Sequence, residues 1–268
     1  MIIKKLGLNI NFFDGGEHLE PILKLIRNYI DVVIVMYQKN SYFGNPILDE
    51  DYNEMNRLKN NGWIDEIIEF SGDIKKDARH QETDKRNIGN NILRDKYKCS
   101  HILNIDSDEY YLPNDFKNTI DYINDNKFQY TYCRYINYYH DFGHYIVYPF
   151  KNYVPFICNS NIVFTYNAVN PCATDPSRRI GNNPFYISTE ILSEKIILMH
   201  HASWIRKNLR NKLNNWSAKK YIPNFDIDSY VTDYDNFNDD KEVRISLNVP
   251  NNKVMIERIK NKFETLLL

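Results

Sequence analysis

The run HILNIDSDEY at residues 101–110 indicates how this chain folds. Its first five residues are mostly apolar, as in a buried strand, and they lead directly into Asp106, Ser107, Asp108 and Glu109. Acidic residues are poor strand formers, so this strand should end in a polar turn. Because side chains alternate along an extended chain, we expect Asp106 and Asp108 to point to the same side.

Upstream of this run, short β-branched segments alternate with longer amphipathic ones. Strands are predicted at 2–10, 32–37 and 66–70, and helices at 18–29, 49–60 (with Asp49 as its cap) and 82–97. The resulting order, β-α-β-α-β-α-β, is typical of a parallel sheet with right-handed crossovers. Such sheets bind ligands at the carboxyl ends of their strands, which is where the acidic run lies.

The pattern changes after residue 111. Helices are predicted at 116–124, 203–220 and 253–268, strands at 128–139, 145–150 and 195–199, and loops at 159–187 and 226–240. No repeat and no Gly/Ser linker divides the chain. We therefore expect one α/β domain over residues 1–268, with a mostly parallel sheet flanked by helices and a smaller second half.

Composition excludes several classes of protein. The net charge of -1 provides no basic footprint for nucleic acid, and no apolar run approaches the ~20 residues of a membrane span. The apolar N-terminal stretch is too short for a signal peptide. Four widely spaced cysteines form no Cys-x-x-Cys pair, which favours reduced thiols. A cytoplasmic protein is expected.

The acidic run has a chemical consequence. Two carboxylates on one side repel each other and attract a cation, and their oxygens suit Mg²⁺ or Mn²⁺. Such an ion keeps open positions that diphosphate oxygens can fill. The alternative is an acidic turn that caps the following helix, because Asp-x-Asp alone is a short and common pattern.

The strand followed by Asp-x-Asp-Glu resembles the glycosyltransferases of the GT-A (Rossmann-like) fold, and above all the large inverting group called glycosyltransferase family 2. The resemblance covers the layout of roughly the first 110 residues and a second patch near His200. It implies a nucleotide-sugar-binding half at 1–111 and an acceptor-binding half at 112–268. It also implies that Asp106 contacts the ribose or the metal and that Asp108 binds the metal.

Two upstream segments extend the resemblance. The loop after the first strand begins the nucleoside pocket in relatives, so Asn11 could hydrogen-bond to the base and Phe12 could stack on it. Core packing is the alternative for Phe12. Arg86, in DKRNIG at 84–89, could pair with the motif carboxylates or with the diphosphate, and a solvated helix face is the alternative. Ser107 is expected to help bind the nucleotide.

The segment MHHASW at 199–204 is the second patch. Relatives often carry a histidine here that completes the metal site. Only one member of the pair should face the ion if the chain is extended, and His200 is preferred to His201. Arg206 and Lys207 follow closely and could hold the diphosphate.

Transfer with inversion also needs a carboxylate that accepts the proton of the acceptor hydroxyl. The candidates in the second half are Asp141, Asp175 and Glu190. Asp175 is preferred because it lies in a Pro-bounded loop, although Arg178 and Arg179 could pair with it structurally.

The expected activity is metal-dependent transfer of a hexose-type sugar, from a UDP-sugar in the first instance, to a glycan or lipid-linked acceptor. Tyrosines between 130 and 148 could form a stacking platform or could simply pack. A sugar nucleotidyltransferase is one alternative, with Gly15-Gly16 as a thin match to a phosphate loop. A glycan-binding protein without turnover is another. Peripheral membrane contact through 254–268 and the oligomeric state stay open.

Overall fold

The computed structural model describes residues 2–148, 151–181, 188–217, 219–221, 226–238, 242–244 and 253–263. Its strands are β1 Leu6–Phe12, β2 Val32–Tyr37, β3 Glu66–Glu69, β4 His101–Asp106, β5 Glu109–Tyr110, β6 Tyr130–Tyr139, β7 Asp141–Val147, β8 Asn152–Asn159, β9 Thr189–Ile191, β10 Leu198–Trp204, β11 Glu242–Arg244 and β12 Lys253–Arg258. Its α-helices are α1 Gly16–Ile26, α2 Asp49–Asn60, α3 Ala78–Asp95, α4 Pro113–Asn126, α5 Leu209–Asn215 and α6 Ile227–Asp235.

The first half contains the predicted parallel sheet. Strands β4, β1, β2 and β3 are parallel neighbours in this order. β1 and β2 are apolar and almost wholly buried because helices cover both faces of the sheet. In the register of the three central strands, Asn11 lies between Met36 and Asp106. The α/β class is therefore confirmed, and the carboxyl ends of these strands share one edge.

The second half continues the same sheet with mixed pairing. β8 runs antiparallel to both β4 and β6, whereas β10 lies parallel to β6 and antiparallel to β5. Strands β7, β12 and β11 extend the sheet beyond β6. As a result, the His200–His201 pair of β10 lies directly beside β5, whose first residue, Glu109, is the last residue of the acidic run.

Three predictions for the C-terminal part are wrong. Within 203–220, the chain continues β10 to Trp204, and the helix is only Leu209–Asn215, with Asn208 as its cap. The stretch at 253–258 is a strand, because Val254 and Ile256 are buried while Met255 is exposed, a period of two. The predicted loop at 226–240 contains α6.

Helices elsewhere lie close to their predicted positions. α2 has the predicted bounds, but its cap position is Leu48, so Asp49 is its first residue. α3 begins earlier than predicted, where Asp77 accepts hydrogen bonds from two backbone N–H groups. In the parts of the chain described, every helix is too short or too polar to cross a membrane.

The buried face of α3 is polar, which the hydrophobic pattern did not reveal. Ile88 is 42% exposed, whereas Lys85, Arg86 and Asn90 are buried. This face packs against β1 through the amide of Asn9. That amide donates to the Arg86 carbonyl at 2.9 Å and to the side-chain oxygens of Asn90 and Asn104 at 3.0 and 2.8 Å.

Gly89 allows this close approach, and its replacement tests the packing. A Cβ there would lie 2.5 Å from both terminal atoms of the Asn9 amide. We expect Gly89→Ala to lower the free energy of unfolding by about 1–3 kcal/mol. Alanine is the better helix former by about 1 kcal/mol, so helix propensity alone predicts the opposite sign.

Urea denaturation followed by circular dichroism would measure the change. Ile88→Ala is the matched control on the exposed face of the same helix and should change stability much less. An equal or greater stability for Gly89→Ala would contradict the close packing of α3 on β1.

Candidate functional site

A cavity of about 420 Å³ opens at the carboxyl edge of β1, β2 and β4. The acidic run lies in its floor, since Asp106, Ser107, Asp108 and Glu109 all line it. The chain turns at Ser107–Asp108, between the end of β4 and the start of β5. The two aspartates were predicted to project to the same side of an extended strand. Because the chain turns here, they instead bind two separate sets of partners.

Asp106 is held by two arginines from different parts of the chain. Its Oδ1 accepts hydrogen bonds from Arg86 at 2.7 Å and Asn11 at 2.8 Å, and its Oδ2 accepts one from Arg178 at 2.9 Å. Burial alone would raise the pKa of Asp106, but the charges of Arg86 and Arg178 outweigh burial and hold the pKa well below its usual range. Asp106 is therefore ionised, and both of its oxygens are already bonded.

Asp108 is fully buried among three basic groups. Its Oδ2 accepts hydrogen bonds from Arg206 and, at 3.1 Å, from Lys212, while its Oδ1 lies 3.3 Å from Nε2 of His201. Burial raises its pKa, but Lys212, Arg206 and His201 together lower the pKa well below the usual range. Among the described residues, Oδ1 faces Nε2 of His201 and is the one oxygen of Asp106 and Asp108 that accepts no hydrogen bond, so it can bind a ligand.

The histidine beside Asp108 is His201, which corrects the preference for His200. His200 points to the other side of β10, where it is buried against Phe263 with a ring-centroid distance of 5.0 Å. Its Nδ1 lies 2.8 Å from the hydroxyl of Tyr138, and burial lowers its pKa to about 3. Strand alternation separates the two rings, and the sequence did not show which face of β10 is apolar.

The ring of His201 is oriented by Asn137. Nδ1 of His201 lies 2.6 Å from Oδ1 of Asn137. A carbonyl oxygen only accepts, so Nδ1 carries a proton and Nε2 is turned towards Asp108. Oδ1 of Asp108 and Nε2 of His201 thus converge at 3.3 Å, and a carboxylate oxygen and an unprotonated imidazole nitrogen can both donate electron pairs to a metal ion. The pair formed by Asp108 Oδ1 and His201 Nε2 therefore fits a divalent ion with mixed oxygen and nitrogen ligands.

Asp106 and His200 do not fit that ion, because their ligand atoms are bonded or buried elsewhere. Within the described ranges, no group of three or more His, Cys, Asp or Glu side chains is placed to hold a metal.

The two basic residues expected at the diphosphate have other positions. Arg206 lies behind Asp108, against Gly15, whose φ of +78° and missing Cβ make room for the guanidinium. Lys207 lies outside the lining of this cavity, and its backbone N–H donates to Glu17 at 3.1 Å. Lys212 of α5 does line the cavity, beside Asp108.

The remaining predicted nucleotide contacts divide into two groups. Asn11 and Ser107 line the cavity, and Oδ1 of Asn11 is buried without a hydrogen-bond partner. Phe12 is buried in the core, whereas the neighbouring Phe13 lines the cavity. Arg86 pairs with Asp106 behind the cavity wall, which is one of its two predicted roles.

α3 supplies two ionisable residues that the sequence did not single out. Burial raises the pKa of Glu82 and lowers the pKa of Lys85, each to about 7. Glu82 accepts a hydrogen bond from Asn11 at 3.2 Å, and Lys85 donates to the Phe12 carbonyl at 2.7 Å. Both line the cavity. Glu82, Lys85 and Arg86 are spaced so that they share one face of a helix, and this spacing is the sequence signal that could have identified them.

Asp175 lies at the rim of the cavity, at the start of the 3₁₀ turn Pro176–Arg178. Its Oδ1 accepts hydrogen bonds from the backbone N–H and the hydroxyl of Ser177, at 2.9 and 3.0 Å. Its Oδ2 lies 3.4 Å from Nε of Arg178. The alternatives Asp141 and Glu190 are outside the cavity lining, in β7 and β9 respectively.

Glu109 and Arg178 form a fully buried ion pair below this rim. Arg178 donates to both carboxylate oxygens of Glu109, to Oε2 at 2.9 Å, and also reaches Asp106. Burial raises the pKa of Glu109 despite the adjacent arginine. Arg178 thus joins the acidic run to the loop that carries Asp175.

Comparison with known proteins gives only distant structural similarities. No family model and no curated protein matches the chain. TarS 1-349 from S. aureus is 10% identical, with a TM-score of 0.42 over 84% of this chain and 68% of that chain. A longer S. aureus TarS structure is 9% identical, with a TM-score of 0.42 over 84% of this chain and 41% of that chain.

GalNAc-T7, solved with UDP, GalNAc and Mn²⁺, is 13% identical, with a TM-score of 0.43 over 81% of this chain and 48% of that chain. Similarity this distant does not establish a function. The function has to be inferred from the chemistry of the cavity.

The Glu109–Arg178 pair gives a stability prediction. Arg178→Met leaves a buried carboxylate without its partner, which should lower the free energy of unfolding by about 3–5 kcal/mol. The loss should grow as pH rises above the ordinary glutamate pKa, because the folded state then holds a proton on Glu109 that the unfolded state releases. Urea denaturation at pH 5 and pH 8 would measure both effects.

Two variants complete this experiment. Adding Glu109→Gln to Arg178→Met should recover part of the loss, because the unpaired charge is removed. Arg179→Met is the matched control, since the Arg179 side chain donates to the Tyr166 carbonyl at 3.3 Å and, among the described residues, pairs with no carboxylate. Equal losses of unfolding free energy for Arg178→Met and Arg179→Met would show that the buried ion pair contributes no more to stability than the Arg179 contact does.

Proposed function

We propose that this protein is a metal-dependent glycosyltransferase that moves a sugar from a nucleoside diphosphate donor to an acceptor hydroxyl. The observation that carries the proposal is the placement of Asp108 Oδ1 opposite Nε2 of His201, at 3.3 Å, on the floor of a cavity. A carboxylate oxygen and an imidazole nitrogen so arranged suit Mn²⁺ or Mg²⁺.

The ion site is supported by residues behind it. Asn137 orients His201, and Arg206 and Lys212 hold the other oxygen of Asp108, so both ligands are fixed before an ion arrives. A divalent ion bound there would supply positive charge against the diphosphate that leaves the sugar. Lys212 lines the cavity next to the same carboxylate and would add a second positive charge there.

The nucleoside is proposed to lie over the ends of β1 and β2, between the ion site and α3. Asn11, Phe13, Gln38 and Lys85 line this part of the cavity. They provide one aromatic ring with amide and ammonium groups for the edge of a base. The buried, unpaired Oδ1 of Asn11 is an acceptor that a ribose hydroxyl or a base N–H would satisfy. UDP-sugars are the donors to test first.

Asp175 is proposed as the general base. The acceptor oxygen attacks the anomeric carbon, the bond from that carbon to the diphosphate oxygen breaks with its electron pair leaving on the diphosphate, and the hydroxyl proton moves to Asp175. Oδ2 of Asp175, which faces Nε of Arg178 at 3.4 Å and accepts no hydrogen bond from the other described residues, would take the proton. Attack on the side opposite the leaving group would invert the anomeric configuration.

The two proposed halves then cooperate at one site. Residues 1–111 supply Asn11, Lys85 and Asp108, while 112–268 supply His201 and Lys212, which reach across to Asp108. The site therefore forms only when the second half is docked on the first.

A first prediction concerns the metal. His201→Ala and Asp108→Asn should each weaken Mn²⁺-dependent donor binding by at least about 10–100-fold, since each removes a ligand atom. Binding would be followed by calorimetry with a nucleotide-sugar, with and without Mn²⁺. Circular dichroism would show whether each variant still folds.

The neighbouring histidine supplies the control. His200→Phe should change stability but leave the Mn²⁺ dependence intact, because His200 lies in the aromatic core behind β10. A loss of metal dependence in His200→Phe but not in His201→Ala would reverse the assignment.

A second prediction concerns the base. Asp175→Asn keeps a side-chain acceptor for Ser177 but removes the basic oxygen, so kcat for transfer should fall by about 10²–10⁴. Donor binding should stay unchanged. Asp141→Asn and Glu190→Gln lie away from the cavity and serve as matched controls. Transfer at the normal rate in Asp175→Asn would move the base to another residue.

The class of reaction is tested by offering a panel of nucleotide-sugars with Mn²⁺ and analysing the products. Release of nucleoside diphosphate indicates glycosyl transfer or slow donor hydrolysis. Release of pyrophosphate from a nucleoside triphosphate and a sugar phosphate indicates a nucleotidyltransferase instead. Binding without any product would indicate a carbohydrate-binding protein on the same scaffold.

A further inference from the structure

The cavity has a charged end and an uncharged end. The charged end is the floor formed by the acidic run and its basic partners. The other end is formed by one face of β6, β8 and β10 together with the chain around the end of α5. Its lining consists of Tyr135, Asn137, Asn152, Ser203, Trp204 and Trp216, with Val154, Met199 and Ser217 between them.

Strand register explains why Tyr135, Asn137, Asn152 and Met199 share one surface, and an irregularity in β10 after His201 adds Ser203 and Trp204 to it. Tyr135 of β6 is paired with Asn152 of β8 on one side and with Met199 of β10 on the other. Asn137, two residues further along β6, is paired with His201. Side chains two residues apart point to the same face, so this wall is continuous with the proposed ion site.

The wall combines aromatic faces with neutral hydrogen-bonding groups. The rings of Tyr135 and Trp216 are half-buried, while Trp204 packs edge-to-face behind Trp216 with a ring-centroid distance of 6.0 Å. Asn137, Asn152 and Ser203 add amide and hydroxyl groups beside them. Within the described part of this wall, none of the lining side chains is a lysine or an arginine.

The proposed base lies at the edge of the same wall. The backbone N–H of Tyr153 in β8 donates to the Ala173 carbonyl at 2.9 Å, and Tyr153 forms a β-bridge with Thr174. This pairing brings the loop that ends at Asp175 alongside Asn152 and Tyr135. A group held on the wall would therefore have Asp175 on one side and the ion site on the other.

We propose that this wall is the acceptor subsite and that it binds an uncharged sugar, with one face of the ring stacked on Tyr135 or Trp216 and hydroxyls bonded to the neighbouring amides. Aromatic faces pack against the apolar face of a sugar ring, and neutral amides pair with its hydroxyls. The described residues of this wall include no lysine or arginine to pair with a phosphate, and the neighbouring cations of the cavity, Arg178 and Lys212, are already bonded to carboxylates. A phosphate-bearing acceptor held on the wall would also lie beside Asp175, whose charge repels it. This inference rests on the proposed function.

The test compares methyl glycosides of common hexoses with the 6-phosphates of the same glycosides, using the full chain. Calorimetry measures their binding directly, with UDP and Mn²⁺ present, so the result does not depend on turnover. Transfer is measured with the donor that the nucleotide-sugar panel identifies. We expect at least one neutral glycoside to bind and to accept sugar about tenfold better than its phosphate.

Variants locate the subsite. Tyr135→Ala and Trp216→Ala should each raise the KM or Kd for the neutral glycoside about tenfold, a larger change than in the Kd for UDP measured with Mn²⁺. Tyr122→Ala is the matched control, because this half-buried tyrosine of α4 packs on Phe128, away from the cavity. Unchanged acceptor affinity in both wall variants would overturn the assignment of the subsite.

The outcomes separate this inference from the function on which it rests. Donor turnover with a preference for the phosphorylated glycoside, or with no binding of any neutral glycoside, overturns the uncharged acceptor and leaves the glycosyltransferase standing. Failure of every nucleotide-sugar to bind or react overturns the proposed function itself. Neutral glycosides that still bind in a manner sensitive to Tyr135→Ala would then support the wall as a sugar site without transfer.

Discussion

Two carboxylates at the end of β4 have to be neutralised inside the protein, and the arrangement of the surrounding chain follows from that constraint. Burial of an ionised carboxylate costs several kcal/mol unless opposite charges and hydrogen bonds compensate. Asp106 receives Arg86 and Arg178, and Asp108 receives Arg206 and Lys212. These four cations come from α3, the loop after β8, the end of β10 and α5, so the ion pairs tie the two halves together.

Small structural features make room for these cations and hold the chain that carries them. Gly15, with a left-handed backbone, leaves room for the guanidinium of Arg206. The imidazole of His18, buried behind it, bridges the Tyr110 hydroxyl and the Ile205 carbonyl at 2.7 Å each and so fixes the chain just before Arg206. Burial lowers the pKa of His18 to about 4, so this bridge stays neutral near pH 7. The charged floor thus depends on uncharged supports that contact no substrate in our proposal.

The distribution of charge also separates the two substrates that we propose. Ionised side chains gather where the parallel strands end, and aromatic and amide side chains gather on β6, β8 and β10. Arg178 lies between the two regions, bonded to Asp106 and Glu109 and close to Asp175. A single buried arginine therefore positions both the acidic floor and the loop of the proposed base.

The sequence by itself determined the first half of the fold. A continuous apolar run, such as Val32–Tyr37 or the strand that ends at Asp106, can be recognised in a short stretch of sequence, yet it indicates a strand buried on both faces. A parallel α/β sheet and its ligand-binding edge could therefore be predicted. It also indicated the acidic run, Arg86 and Asp175, because their residue types stand out from the surrounding pattern.

Only the tertiary structure decided which side chains meet. The choice of His201 over His200 depends on which face of β10 is covered by Tyr138 and Phe263, and each of these partners is more than sixty residues from His200 in the chain. The strand at 253–258 exists because β7 offers it an edge, and Lys212 reaches Asp108 because α5 begins at Leu209 rather than at Ser203. Contacts between distant segments decide these features, and local periodicity carries no information about them.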